Sequence, residues 1–600
     1  MRQSILIFGL IFLPGFFCNA QSNETKTTKD DTEMQKLWLL SDTQVLETKS
    51  VVLDKPLARA LAKAEIAGAM WMLDQPRAEN LLREAYELTL PNEDERNRLR
   101  SRPIGAALTG PMGSNDIARN GVRNRVLEIA RQDKAFATEL IQQGAQQLGK
   151  MEEHYALANL AEKAVGAGDI ETAGNYITQS FEAEPTLINA GIVIIDVAAR
   201  DRKAADKLII QYIERLRSVP LSLIDQSASR TFTLLKDLIF KYNDSMFFFF
   251  NNRRADPRYR QILPPGPDVM RAYVHYVIDS LSQLEQREPG SLMRSRNILL
   301  SAWLPLKQYA PELAGQFLEL EKLSRRPGED ASLPQRKNEQ ANKSNADYEK
   351  RVKDALDSDK PDDLTINFAL SRGDFDKARK LIDKLSDGAQ KTQFIEDINT
   401  REAISLATKG DTLSAQSLAE KLSKAVSVLQ VYPLIINKCA AKKDQQCTTT
   451  AFYQALRQLK KSDVTPNAPP AGIPASVVPT SKEFDPVLSS LSKLAKAVAP
   501  VSDEFALEAL DEMVQAANRS EVDTSQGRIG FDADVFKLIA AKNEPRAQQA
   551  ALNLKDELRQ IVALATIDQW KAKELADKIK AADKAKAAGA ARKNGDDKKK

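Results

Sequence analysis

Leu157 to Pro185 reads LANLAEKAVGAGDIETAGNYITQSFEAEP, and this stretch decides the fold. Leu157, Leu160, Ala161 and Ala164 recur at intervals of three and four, the period of one face of a helix. Gly168-Asp169 then breaks the run. Glycine at the end of a helix accepts a left-handed backbone, and aspartate at the start of the next takes up an orphan amide and complements the helix dipole. Ala173 and Ile177 follow Asp169 at steps of four and lie on one face of a second helix. The stretch therefore predicts two helices joined by a tight turn.

The second half of that pattern recurs along the chain. Asp, three residues, Ala, three residues and an apolar residue are found at Asp74-Ala78-Leu82, Asp133-Ala137-Ile141, Asp169-Ala173-Ile177 and Asp201-Ala205-Ile209, and again at Asp374-Ala378-Ile382 and Asp411-Ala415-Ala419. Successive aspartates lie 36 residues apart (Asp133 to Asp169), 32 apart (Asp169 to Asp201) and 37 apart (Asp374 to Asp411). The alanine leaves room for two helices to cross closely. Each unit is then a helix pair whose core is completed only by its neighbours.

With Ala161 in the first helix, the Gly168-Asp169 turn, Ala173 in the second helix and a closing Pro185, the unit resembles a tetratricopeptide repeat, whose period is about 34 residues. It departs from that family where Leu157 and Ala164 stand in place of the usual Trp and Tyr. The turn returns in Phe368–Asp374 and in Thr408–Asp411. The resemblance covers about a third of the chain and implies a stack of helix pairs that binds a partner through the inward-facing positions of its first helices. An irregular helical bundle with ordinary capping residues is the alternative.

Elsewhere Ala, Leu, Lys, Glu, Gln and Arg dominate, and alternating β-branched runs are scarce. The expected fold class is all-α: an α-solenoid of tetratricopeptide-like helix pairs, a second helical block and a C-terminal helical segment. The length of 600 residues, as a prior, suggests about two to four domains. The boundaries expected are a signal peptide at 1–20, disorder at 21–33, a helical repeat domain at 34–324, a linker at 325–347, a second repeat block at 348–461, a proline-rich linker at 462–486, a C-terminal helical block at 487–580 and a basic disordered tail at 581–600. Two interruptions fall within the first domain. Ser101 to Asp116 carries three glycines without a following Gly-Lys-Ser/Thr and reads as a loop; Asn251 to Pro267 holds four prolines and four arginines behind the apolar run Met246–Phe250.

The N-terminus reads as an address. Arg2 precedes an apolar run from Ile5 to Phe17, and Cys18-Asn19-Ala20 has the small-x-small form of a cleavage site. A chain cut after Ala20 is exported, periplasmic or secreted, and no later run has the length of a membrane span. Cys439 and Cys447 then remain as an even pair in an oxidising compartment. Across the intervening AAKKDQQ they either form a disulfide, contributing ~2–3 kcal/mol, or stay as buried thiols.

Composition narrows the function. The chain holds 86 Lys+Arg against 82 Asp+Glu, a net of +4, which argues against a body that binds nucleic acid. Residues 571–600 alone hold 11 basic and 5 acidic residues, so the positive charge comes from the tail, which is suited to loose contact with an anionic surface. With 2 His and 3 Cys, a multi-histidine metal site is excluded, and no cofactor is implied. No nucleophile elbow or phosphate loop is present, and Ser490-Leu491-Ser492-Lys493 lacks the companions of a Ser-x-x-Lys hydrolase. No catalytic residue is named. The function expected is an exported scaffold that binds a protein, peptide or polymer partner on its repeat surface, with the structural role of the paired Asp133, Ala137, Asp169, Ala173, Asp201, Ala205, Asp374, Ala378, Asp411 and Ala415 as its framework. Two alternatives stand beside it: a cell-envelope glycan hydrolase or lyase using carboxylates that converge in the fold, and a structural spacer.

Overall fold

The structure is a computed structural model. It describes residues 29–91, 114–184, 189–219, 263–325, 348–358, 363–462 and 485–596, with single residues at 93, 235 and 361. The expected signal peptide, Pro185, the Met246–Phe250 run and nearly all of both linkers lie outside the described residues.

The first part of the chain forms α1 (Lys29–Val52), α2 (Pro56–Met70), α3 (Gln75–Leu88), α4 (Ser114–Ala130), α5 (Lys134–Leu148), α6 (Lys150–Gly166), α7 (Ile170–Ala183), α8 (Asn189–Ala198), α9 (Arg202–Arg217), α10 (Pro267–Arg287), α11 (Leu292–Ser301), α12 (Trp303–Tyr309) and α13 (Ala314–Leu323). After a helical run at 348–357 come α14 (Asp363–Arg372), α15 (Phe375–Asp383), α16 (Ala389–Lys409), α17 (Thr412–Ala419), α18 (Ala425–Ala441), α19 (Gln445–Lys461), α20 (Pro486–Val498), α21 (Asp503–Ala517), α22 (Asp534–Leu552) and α23 (Glu557–Asp596). There is no strand among the described residues. The chain is an all-α helical repeat protein.

The turns explain the repeat. Gly168, Gly373 and Gly410 sit at φ +85°, +77° and +89°. The amide of the aspartate that follows each reaches back five residues, from Asp169 to Ala164, Asp374 to Ala369 and Asp411 to Leu406, each at 3.0 Å. This closes the end of the first helix with its last carbonyls satisfied. The same aspartate opens the next helix. Asp169 accepts from Thr172 N–H at 3.0 Å, Asp201 from Ala204 at 3.0 Å, Asp411 from Ser414 at 3.1 Å and Asp133 from Ala135 at 2.8 Å. Asp74 does likewise with Arg77 at 3.3 Å. Asp374 differs. Its carboxylate accepts the Tyr348 hydroxyl at 2.6 Å and caps no amide, because the preceding helical run brings that phenol against it. A seventh turn escaped the pattern: Asp444 caps Cys447 N–H at 2.9 Å, but Thr448 stands where the others have alanine.

Four residues after each aspartate the alanine does what its size allows. Ala78, Ala137, Ala173, Ala205, Ala378 and Ala415 are all completely buried, and each donates its N–H to the aspartate's carbonyl at 3.0–3.2 Å. One turn further on, Leu82, Ile141, Ile177, Ile209, Ile382 and Ala419 are buried as well.

Two stretches are more ordered than composition suggests. Helix α1 begins at Lys29, inside the segment expected to be disordered, because Leu39, Thr43, Leu46 and Ser50 form a buried stripe at steps of four and three. Helix α23 runs to Asp596 through the expected disordered tail, whose alanines and lysines are strong helix formers. At the loop expected for 101–116, Ser114 already begins α4.

The two ends of the chain meet. Helix α23 packs on α1 and α2, and the short turn Thr524–Gln526 packs on α2 and α4. Gln569 donates to the Glu65 carbonyl at 3.1 Å and to its carboxylate at 2.8 Å, across 504 residues of sequence. Two glycines permit this approach: a Cβ on Gly68 would stand 2.7 Å from Gln569 Nε2, and one on Gly527 would stand 2.8 Å from the Leu57 carbonyl oxygen. From this junction two arms of paired helices run outward, one through α3 to α13 and one through α22 back to α14. A single apolar core threads residues 46 to 320 and 403 to 567, with a smaller cluster around Ile366, Leu381 and Ile398 inside α14–α16.

At the turn equivalent to Gly410, Lys443 takes φ +58°. A side chain in the left-handed region costs ~1 kcal/mol or more. Lys443→Gly is therefore expected to stabilise the protein by about 1 kcal/mol and Gly410→Ala to destabilise it by about the same amount, measured as shifts in the urea unfolding midpoint at unchanged slope.

Candidate binding groove

The titratable groups buried in the fold are committed to the fold. Glu65 on α2 is held by Arg125 of α4, with 2.9 Å between its carboxylate and the outer guanidinium nitrogen. Glu321 pairs with Arg325 at 2.6 Å. Glu396 on α16 accepts the amides of Ser423 and Lys424, each at 3.0 Å, and so caps the start of α18 from a different helix. His154 is fully buried, its Nδ1 lying 2.8 Å from Ser180 Oγ and 3.0 Å from the Ser180 carbonyl oxygen. Burial pushes its pKa down to about 4 against the opposing pull of the Ser180 carbonyl. His275 is half-exposed, 3.7 Å from Glu312. Asp568, on α23, is the exception in kind. Burial drives its pKa up to about 7, with Asp42 of α1 and Glu544 of α22 adding to the rise. Lys571, 3.8 Å away, is the main opposing influence and outweighs either carboxylate singly, though it lies closer to Glu544 at 2.9 Å.

The Ser-x-x-Lys stretch lies mostly in the packed face of α20: Ser490, Leu491 and Ser492 are buried, Ser492 Oγ donates to the Ser489 carbonyl, and only Lys493 is exposed. Cys439 and Cys447 are joined as a disulfide between the end of α18 and the start of α19, with Cα atoms 5.7 Å apart. Among the described residues no cluster of three or more His, Cys, Asp and Glu is arranged to hold a metal ion, and no helix is long and apolar enough to cross a membrane.

The cavities at the surface of the described residues include two with mixed polar linings. The larger, about 460 Å³, lies between the end of α19 and helices α20 and α21. Among its charged residues, Lys460 and Glu512 are already paired across it. The smaller, about 310 Å³, is a groove over three successive second helices of the repeat. Lys134 and Thr138 come from α5, Thr172, Asn175, Tyr176, Thr178 and Gln179 from α7, and Gln211 from α9. Residues 172, 175, 176 and 179 fall on one stripe of α7 by helical spacing. Thr178 Oγ1 donates to the Gln211 carboxamide oxygen at 3.2 Å and so ties α7 to α9. Tyr176 is 2% exposed, and among the described residues its hydroxyl has no hydrogen-bond partner. Burial raises the Tyr176 pKa, with Arg131 opposing and Asp169 assisting.

The sequence-named residues form the turns that hold these helices, and the groove residues sit between those turns. Asp169 and Ala173 flank Thr172, and Asp133 precedes Lys134. The groove lies on the second helices of the pairs, whereas the resemblance pointed to the first. The signal available in sequence was the polar set Thr172, Asn175, Thr178 and Gln179 on a helix whose other face is apolar, but its neighbours across the groove belong to other units.

No family model matches the chain, and no curated protein matches it. Among solved structures the chain is similar to a circular tandem repeat protein with novel repeat topology and enhanced subunit contact surfaces, at 13% identity over 90% of this chain and 99% of that one. The TM-score is 0.17, too low for the likeness to carry weight.

His154 and Asp568 give opposite pH dependences. A histidine held neutral by burial loses protons on folding between pH 6.5 and about 4, so its contribution falls as pH drops through that window. A carboxyl whose folded pKa is about 7 binds protons on folding, so its contribution falls as pH rises from 3.8 to about 7. In the wild type the two slopes oppose each other. Asp568→Asn is expected to raise the melting temperature at pH 8 and hardly at pH 4, and His154→Gln to steepen the loss of stability with rising pH; calorimetry across pH 4–8 checks both.

Proposed function

We propose that the protein is an exported, tetratricopeptide-like scaffold that works by holding a partner on the faces of its stacked helix pairs. The observation that carries this reading is the groove over α5, α7 and α9, a polar surface in which the buried Thr172 and Tyr176 hydroxyls find no partner among the described residues. The sequence from Met1 to Ala20 supports export, to the periplasm or beyond the cell. The disulfide between Cys439 and Cys447 is in keeping with an oxidising compartment. The partner is a protein or peptide, and the basic end of α23 adds contact with an anionic surface.

The envelope hydrolase is disfavoured by the same inventory. Glu65, Glu321 and Glu396 are paired or capping and line neither cavity described above, and in the larger one Asp485 caps the start of α20 and Glu512 pairs with Lys460. The spacer reading leaves the groove without a purpose.

The tagged full chain, expressed in its native envelope, tests the proposal by N-terminal sequencing and by crosslinking at residues placed on α5 and α7. The expected result is a mature N-terminus at Gln21 and one stoichiometric partner crosslinked to those helices. Turnover of purified cell-wall glycan, abolished by a single Glu→Gln change, would overturn it.

A further inference from the structure

We propose that the groove over α5, α7 and α9 seats an extended polypeptide segment, read through its main-chain amides, with the Tyr176 hydroxyl as the buried end of the hydrogen-bonding row. This rests on the scaffold reading and names the ligand class for it.

The first argument is the orphan hydroxyl. A buried polar group left unpaired forfeits its hydration with nothing in return, and Tyr176 carries such a group at the wall of an open groove. A phenol both donates and accepts, so a main-chain carbonyl or amide satisfies it equally. The second argument is the lining. Asn175, Gln179 and Gln211 present carboxamides, each with a donor and an acceptor spaced like those of a peptide unit. The Thr138 and Thr178 hydroxyls donate to the Lys134 and Gly174 carbonyls and so offer a ligand only their lone pairs, and Lys134 is the one charged residue of the lining. With no carboxylate there, the groove does not select a cationic ligand. Compact apolar ligands prefer pockets lined mainly by hydrophobic side chains, which this is not.

The third argument is dimension. Thr172 to Gln179 spans ~10 Å along the helix axis, about three residues of extended chain, and Lys134–Thr138 and Gln211 flank it on either side. A glycan would pack its sugar faces on exposed aromatic rings, and the one aromatic ring here is buried to its edge. The Asp-capped turns fix the spacing of α5, α7 and α9, so the groups stand prepared before the ligand arrives, and little ordering is left to oppose binding.

The test uses the full mature chain and two probes: a pool of synthetic random 12-residue peptides and a panel of soluble cell-wall glycan fragments. Retained peptides are resynthesised and measured by fluorescence anisotropy against wild type, Tyr176→Phe and Asn175→Ala/Gln179→Ala. Tyr176→Phe removes a hydroxyl with no partner in the fold, so it is expected to fold with undiminished stability. The expected result is a five- to tenfold weaker affinity for Tyr176→Phe, a larger loss for the double variant, and loss of binding when single main-chain amides of the peptide are N-methylated. Tyr453→Phe, whose exposed hydroxyl pairs with Glu508, serves as the control and leaves affinity unchanged. Peptides bound equally by all variants overturn the groove assignment while leaving the scaffold reading standing. Retention of glycans and not peptides overturns the ligand class. Glycan turnover overturns both.

Discussion

An alanine with no exposed surface, four residues after an aspartate that closes one helix and opens the next, sets the distance between helices throughout this protein. The aspartate's amide reaches back to the finished helix, its carboxylate caps the new one, and its carbonyl receives the alanine's N–H. Three hydrogen bonds thus converge on one residue and leave the angle between the paired helices little freedom. The methyl side chain lets the neighbouring helix come close. A larger group at Ala173 would force the pair apart, at a cost of ~1–3 kcal/mol for overpacking. The groove inherits its geometry from these contacts, since Thr172, Asn175 and Tyr176 are carried on the same turns of α7.

This framework was legible in sequence because it is local. Gly-Asp and the alanine four residues later are separated by one turn of helix, and no distant residue needs to be known. Asp444 escaped because Thr448 replaces alanine, although the helix geometry is the same. Asp374 kept its place and lost its capping role to Tyr348, a partner 26 residues away that no short-range rule anticipates. The groove was illegible for a similar reason: its walls come from three units, and only stacking brings Thr138, Gln179 and Gln211 to one surface. The pairing of Glu65 with Gln569 carries no local signal at all.

The junction of the two ends has its own chemistry. Glu65 is buried with both Arg125 and Gln569 upon it, and removing one partner from such a pair leaves an uncompensated charge, which costs ~3–5 kcal/mol. Next to Gln569 on α23, Asp568 sits among Asp42, Glu544 and Lys571. The same interface therefore holds one well-compensated charge and one that folding resists, and neither touches the groove.

The meeting of α2 with α23 also governs the order in which the chain becomes a protein. The apolar faces of α1 and α2 are made 504 residues before the part of α23 that covers them. Most helix pairs close on neighbours a few tens of residues away and fold quickly, whereas this contact spans almost the whole polypeptide and bears the entropic penalty of a long loop. Until α23 packs on them, α1 and α2 leave apolar surface exposed to other chains. Helix α23 thus covers the apolar faces of α1 and α2, and a chain without it leaves those faces open.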